Sequence, residues 1–252
     1  MIKKQLFFLI AIVFSMNALG QSKPLTVKEK AKLYPTKEIV SHYHNDWTQS
    51  HYKKRIEDFE NKPLESDEIV FIGNSITEKG RDWTEKFNIA HIRNRGIAGD
   101  VTDGVLKRLN EIVYFKPKAV FILIGINDLF NLHHEEAGGN FKYDKIVPST
   151  DYVGKNILKI TKIIHRKSPE TKIYIQTVLP TRREYLKEDV LSVNKIIKKN
   201  EAKGYYKVVD LYSQFVDENG ELIKALTVDG VHLSDKGYEK WVKIEKPLIE
   251  GL

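Results

Sequence analysis

With 252 residues, the chain is long enough for one medium-sized domain and too short for two full ones. A hydrophobic fraction of 41% and a charged fraction of 30% exclude a disordered or fibrous chain. The net charge of +7 is scattered, with no basic stripe interleaved with aromatics, which argues against nucleic acid as a partner; the absence of cysteine excludes disulfides, thiolate metal sites and a cysteine nucleophile.

The first twenty residues read as a leader. Lys3 and Lys4 precede an unbroken apolar run from Leu6 to Phe14, and Ala18-Leu19-Gly20 places small residues where a signal peptidase cuts. The run is shorter than the roughly 20 apolar residues a membrane span needs. A cleavable signal over 1–20 and a secreted or periplasmic mature protein are expected, with no later segment crossing a membrane. Cleavage leaves 232 residues and lowers the charge to +5, because two lysines go with the leader.

Residues 21–65 read as an N-terminal lead-in with a helix. From Gln21 to about Asp46 the chain is polar and lacks clear periodicity. Trp47, His51, Tyr52, Ile56 and Phe59 then recur at helical spacing, and Asn61-Lys62-Pro63 closes that helix.

From residue 66 to the C-terminus the pattern alternates. Apolar runs at Glu68–Ile72, Ala90–Asn94, Ala119–Ile124, Lys172–Val178 and Tyr206–Leu211 suit strands buried on both faces. Helical patterns lie between and after them, at about Asp103–Tyr114, Asp151–Arg166, Lys187–Lys203 and Asp235–Ile249. Alternating strands and helices imply right-handed crossovers and a five-stranded parallel sheet in a three-layer α/β/α domain. Leu129–Ser149 fits neither pattern, and a loop of that length is usually functional or mobile.

In an open parallel sheet, ligands bind at the carboxyl ends of the strands. The first strand ends in Gly73-Asn74-Ser75-Ile76, the second in Asn94-Arg95-Gly96-Ile97-Ala98-Gly99-Asp100, the third in Gly125-Ile126-Asn127-Asp128; Asp229-Gly230-Val231-His232 precedes the last helix. A serine hydroxyl needs a base to become a nucleophile. His232 can serve Ser75, and Asp229, three residues earlier, can bend back to orient the imidazole. The Ser75 N–H, the Gly96 N–H and the Asn127 side-chain amide can together stabilise an oxyanion.

These four blocks resemble those of the SGNH hydrolase (GDSL-type esterase/lipase) family. Ile69–Thr77 is similar to its Gly-Asp-Ser-Leu block, Asn94–Asp100 to its glycine block, Gly125–Asp128 to its Gly-x-Asn-Asp block and Asp229–His232 to its Asp-x-x-His block. The resemblance implies a flavodoxin-like fold with strand order 2-1-3-4-5. It implies catalytic roles for Ser75, Asp229 and His232, and an oxyanion hole of Ser75, Gly96 and Asn127. One departure is Asn74, where the family usually has Asp. The stretch Gly96–Gly104 with the following Val-Leu-Lys-Arg-Leu also resembles the branch of platelet-activating-factor acetylhydrolase-like esterases and bacterial carbohydrate O-acetylesterases. That branch implies a short acyl group, with a small-molecule or carbohydrate ester as the partner and no cofactor.

Arg81, Arg95 and the pair Arg182-Arg183 are candidate substrate contacts: the first two sit close to the motif blocks, and the pair follows the fourth strand, where a guanidinium can hold a carboxylate through two hydrogen bonds. His133-His134 raises a metal site, but adjacent histidines rarely converge on one ion, so no metal is expected. Two alternatives to ester hydrolysis stay open: acyl transfer to a sugar hydroxyl by the same residues, and a carbohydrate-binding protein that keeps the fold without catalysis.

Overall fold

A computed structural model describes residues 25–36, 38, 40–137 and 142–252. The expected leader lies outside the described residues. The five apolar runs form strands β1 (Ile69–Gly73), β2 (Ile92–Gly96), β3 (Ala119–Leu123), β4 (Lys172–Gln176) and β5 (Lys207–Val209), all parallel, in the order β2-β1-β3-β4-β5. β1 and β3 are buried at every position, because helices cover both faces of the centre of the sheet. The edge strands β2 and β5 are only partly covered. Register carries the core across the sheet: Phe71 pairs with Phe121 and Phe121 with Tyr174, and their rings stack at 5.0 and 4.6 Å.

In chain order, the helices are α1 (Val27–Leu33), α2 (Asp46–Asn61), α3 (Ser75–Glu78), α4 (Trp83–Phe87), α5 (Thr102–Lys107), α6 (Asn110–Phe115), α7 (Ile126–Leu132), α8 (Thr150–Lys167), α9 (Lys187–Asn200), α10 (Tyr212–Phe215) and α11 (Asp235–Glu250). Three differences from expectation have physical causes. The helix expected over 103–114 is two, broken at Arg108 (φ −120°, ψ 24°). That side chain turns inward to donate to the carbonyls of Arg95 (2.6 Å) and Gly73 (3.1 Å) at the ends of β2 and β1. The stretch expected to be irregular from residue 129 is helical as far as Leu132. Asn131 fastens the segment leading into α8 by accepting from Val147 N–H at 2.6 Å and donating to the Lys145 carbonyl at 3.2 Å. The polar lead-in contains the short α1, whose Leu33, with Tyr34, packs on Tyr52, Ile56, Phe59 and Ile97 in a second apolar cluster beside the main core.

Strand order reverses at β1, which has β2 on one side and β3 on the other. The crevice at the carboxyl end of β1 is therefore framed by the segments after β1, β2 and β3. Among the described residues, no helix is long and apolar enough to cross a membrane.

Candidate active site

Ser75 is the first residue of α3, directly after β1. Asn74 caps that helix: its Oδ1 accepts the Ile76 N–H at 3.0 Å. The cap needs only an acceptor oxygen, which Asn supplies as Asp would. Ser75 thus stands where backbone N–H groups have no intrahelical partner, with its hydroxyl facing the crevice.

His232 reaches it from the far end of the chain. Its Nε2 lies 2.9 Å from Ser75 Oγ, and its Nδ1 lies 2.6 Å from Asp229 Oδ2. A carboxylate cannot donate, so the short contact puts the proton on Nδ1 and leaves the Nε2 lone pair for the serine hydroxyl. Asp229 is itself held: Oδ1 accepts the N–H of His232 at 2.7 Å and of Val231 at 3.0 Å. Partial burial works to raise its pKa. Hydrogen bonds from the His232 ring and from those two backbone groups outweigh it and lower the value from 3.8 to about 2. The loop is pinned by Thr227, whose hydroxyl donates to the His232 carbonyl at 2.7 Å and accepts the Gly230 N–H at 2.8 Å. From α11, the Tyr238 hydroxyl donates to Ile76 O at 2.7 Å, tying the helix after His232 to the helix that starts at Ser75.

Asn127 and the glycine segment complete the rim. Asn127 Nδ2 donates one hydrogen to the Asp100 carbonyl at 3.0 Å, which aims the amide and leaves its second hydrogen for the crevice. Asp100 is fully buried and fixes its own loop by accepting from Arg108 Nε and from Val101 N–H, both at 3.0 Å, with His44 Nε2 at 3.2 Å. Asp128 accepts both the N–H and the hydroxyl of Thr102. Its complete burial pushes the pKa from 3.8 up to about 7 in spite of those bonds.

Ser75, Asn127, Asp229 and His232 line one cleft of about 670 Å³. Gly96 does not. Its N–H donates to Asn94 Oδ1 at 2.9 Å, and a Cβ there would come within 2.2 Å of the Glu78 backbone nitrogen, so this glycine serves the close approach of β2 to α3. The glycine that lines the cleft is Gly99, in the left-handed region at φ +79°.

Three of the four candidate arginines also lie elsewhere. Arg95 is buried, paired with Glu111 at 2.7 Å and laid over the Phe59 ring at 4.6 Å. Arg182 is turned to Asp217, Glu221 and the Leu222 carbonyl, bracing the segment before the Asp229 loop. Arg81 borders a separate polar groove with Arg55, Arg93 and Asn94. Arg183, the neighbour of Arg182, is the arginine of the cleft, and Lys79 is its lysine. His133 pairs with Asp189 at 2.5 Å, and among the described residues no cluster of three or more metal-ligating side chains is found.

The remaining wall carries no motif: Tyr43, Asn45, Trp47 and Thr48 from the lead-in, with Phe130 and Tyr143. The sequence signals there are indirect: Trp47 opens a helical pattern, and Phe130 and Tyr143 fall in the irregular stretch Leu129–Ser149.

A parallel sheet with a linked serine, histidine and aspartate at its carboxyl edge is an arrangement that several classes of α/β hydrolase share. Residues 71–240 match the GDSL-like Lipase/Acylhydrolase family, and the chain belongs to it. It is a hydrolase acting on ester bonds. Among known proteins, it is 29% identical over 191 residues to platelet-activating factor acetylhydrolase IB subunit alpha2 of Rattus norvegicus, covering 73% of this chain and 75% of that one. A solved Bacteroides thetaiotaomicron structure, a GDSL-like lipase, superposes with a TM-score of 0.65 at 24% identity over 80% of this chain and 98% of that one. Axe2, an acetylxylan esterase of Geobacillus stearothermophilus, superposes with a TM-score of 0.59 at 19% identity, covering 73% and 94%; both share the fold.

Proposed function

We propose that this hydrolase removes short acyl groups, above all O-acetyl groups, from carbohydrate through an acyl-serine intermediate, outside the cytoplasm and after loss of residues 1–20. The observation that carries the mechanism is the unbroken relay from Asp229 Oδ2 through His232 to Ser75 Oγ, at 2.6 and 2.9 Å.

In this reading His232 Nε2 takes the Ser75 proton as Oγ attacks the ester carbonyl. Asp229, ionised far below neutral pH, stabilises the imidazolium that results. The carbonyl oxygen becomes an oxyanion, and three donors are at hand for it: the N–H of Ser75, the N–H of Gly99 and the free hydrogen of Asn127 Nδ2. Gly99 replaces Gly96 in this set because Gly99 borders the cleft and the Gly96 N–H is already committed to Asn94. Collapse of the tetrahedral adduct expels the alcohol, which collects the proton from His232. Water then attacks the acyl-serine with His232 again as base, and the acid leaves with Ser75 restored.

An acetyl group is favoured by the acetylhydrolase relatives at 29% identity. The acetylxylan esterase on the same fold supports an acetylated sugar as the substrate. The lysine-flanked apolar run at the start of the sequence supports export. The test is Ser75→Ala with p-nitrophenyl esters of rising chain length, alongside covalent labelling by a fluorophosphonate probe. Turnover and labelling are expected to vanish together, with acetate the preferred acyl group. Undiminished turnover in Ser75→Ala would refute the assignment.

A further inference from the structure

Asn45, Trp47 and Thr48 enter the Ser75 cleft from the start of α2, ahead of the family-matched residues 71–240. The turn is rigid, because Asn45 and Thr48 cap each other reciprocally. The sequence has three tryptophans. Trp83 and Trp241 are 0% exposed, whereas Trp47 is 57% exposed. Its indole stacks on His51, with ring centroids 5.0 Å apart and planes 6° from parallel, while more than half of the residue stays exposed. His51 is held by Glu78 at 2.9 Å, and the same carboxylate accepts the Ala98 N–H at 2.5 Å. A Cβ placed on Gly99 would lie 3.5 Å from Trp47 Cζ3, so the indole borders the glycine that lines the Ser75 cleft.

A solitary exposed aromatic is ordinary on a protein surface. This one is held by His51 and lines the same cleft as Ser75. It shares the cleft with hydrogen-bonding groups, among them the Tyr143 phenol and the Arg183 guanidinium. An alkyl chain could cover the indole but would strip water from those groups and give nothing back. A pyranose ring has an apolar C–H face for the indole and a hydroxyl edge for its neighbours.

We propose that Trp47 is the stacking platform for the sugar ring that carries the acyl ester, so that the first turn of α2 selects the alcohol part of the substrate. This rests on Ser75 acting as the nucleophile.

The experiment compares acetylated xylo-, gluco- and galacto-oligosaccharides with vinyl acetate, which has no ring to stack, in the unmodified protein, Trp47→Ala and Trp47→Phe. The ratio of kcat/KM for the preferred oligosaccharide to that for vinyl acetate is expected to fall about tenfold in Trp47→Ala, the scale of one aromatic contact, mainly through KM. Trp47→Phe recovers part of the ratio. In Ser75→Ala, where no turnover intervenes, the preferred oligosaccharide is expected to shield tryptophan fluorescence from acrylamide, since Trp47 is the accessible indole. An unchanged ratio, absent shielding, or an unmodified protein that cleaves vinyl acetate but none of the sugar esters overturns the platform while leaving the Ser75 assignment standing. A protein inactive on every ester overturns that assignment, and the platform with it.

Discussion

Replacing Glu245 by glutamine removes a titratable group from the buried face of α11. The carboxylate is 0% exposed; it accepts from Gln176 Nε2 at 2.7 Å and from Trp241 Nε1 at 2.8 Å. Burial pushes its pKa from 4.5 up to about 8, against the lowering effect of both hydrogen bonds. In the unfolded chain the group titrates near its ordinary value. Between about pH 4.5 and 8 the folded state therefore holds a proton that the unfolded state has released, and stability falls as pH rises through that window. The full gap is worth about 5 kcal/mol, of which about 3 kcal/mol has accumulated by pH 7. Glu245→Gln abolishes this loss and keeps two hydrogen bonds at the site. The new carbonyl accepts from Trp241, and once the Gln176 amide turns over, the new amide donates to Gln176 Oε1, so Gln176 exchanges an unpaired oxygen for an unpaired nitrogen. The variant is expected to unfold about 6–12 °C higher at pH 7, since each kcal/mol moves the Tm of a chain this size by about 2–4 °C. The gain shrinks to nothing near pH 4. Thermal unfolding by far-UV circular dichroism from pH 4 to 8.5 measures it. A gain independent of pH, or a loss at every pH, refutes the linkage.

Three further outcomes concern the site. Asp229→Asn keeps the shape but can present an N–H to His232 Nδ1, reversing the tautomer, and is expected to lower kcat by about 10⁴-fold with little change in Tm; a loss under tenfold would show that the ring is oriented by something else. Asn127→Ala removes one oxyanion donor and should reduce kcat by about 10²–10³-fold with KM nearly constant, as steady-state kinetics on p-nitrophenyl acetate would reveal. Gly99→Ala forces a side chain into φ +79° and sets its Cβ 2.0 Å from Thr48 Cγ2. Activity should drop sharply, and adding Thr48→Ser, which deletes that methyl but keeps the capping hydroxyl, should restore part of it; no recovery would mean that the clash is not the cause.

That Ser75, Asn127, Asp229 and His232 meet at one cleft was legible because each sits in a short local pattern tied to a strand end or a helix start, and parallel topology brings such ends together. Which glycine faces the cleft was not. Gly96 and Gly99 stand in one block, and only the bond from Gly96 N–H to Asn94 and the positive φ of Gly99 separate them. Three of the four arginines failed for another reason. A long side chain near a motif can go to any of several neighbours, and Arg95 and Arg182 went to carboxylates that lie 16 and 39 positions away in the chain. Nothing local announces such partners. Most strands were readable from unbroken apolar runs and their order from the family resemblance, whereas the break at Arg108 depends on carbonyls at the ends of two strands.

The attachment of the lead-in to the glycine segment has a consequence for how such a molecule diversifies. Tyr52 bonds to the Gly104 carbonyl at 3.0 Å, Ser41 to Asp103 at 2.7 Å, and Arg55 reaches the Gly96 carbonyl at 3.2 Å. Trimming the protein to its family boundary would uncover Ile97 and leave the glycine segment without a backing. Drift in the residues ahead of β1 is thereby coupled to that segment: a change that loosens one loosens the other.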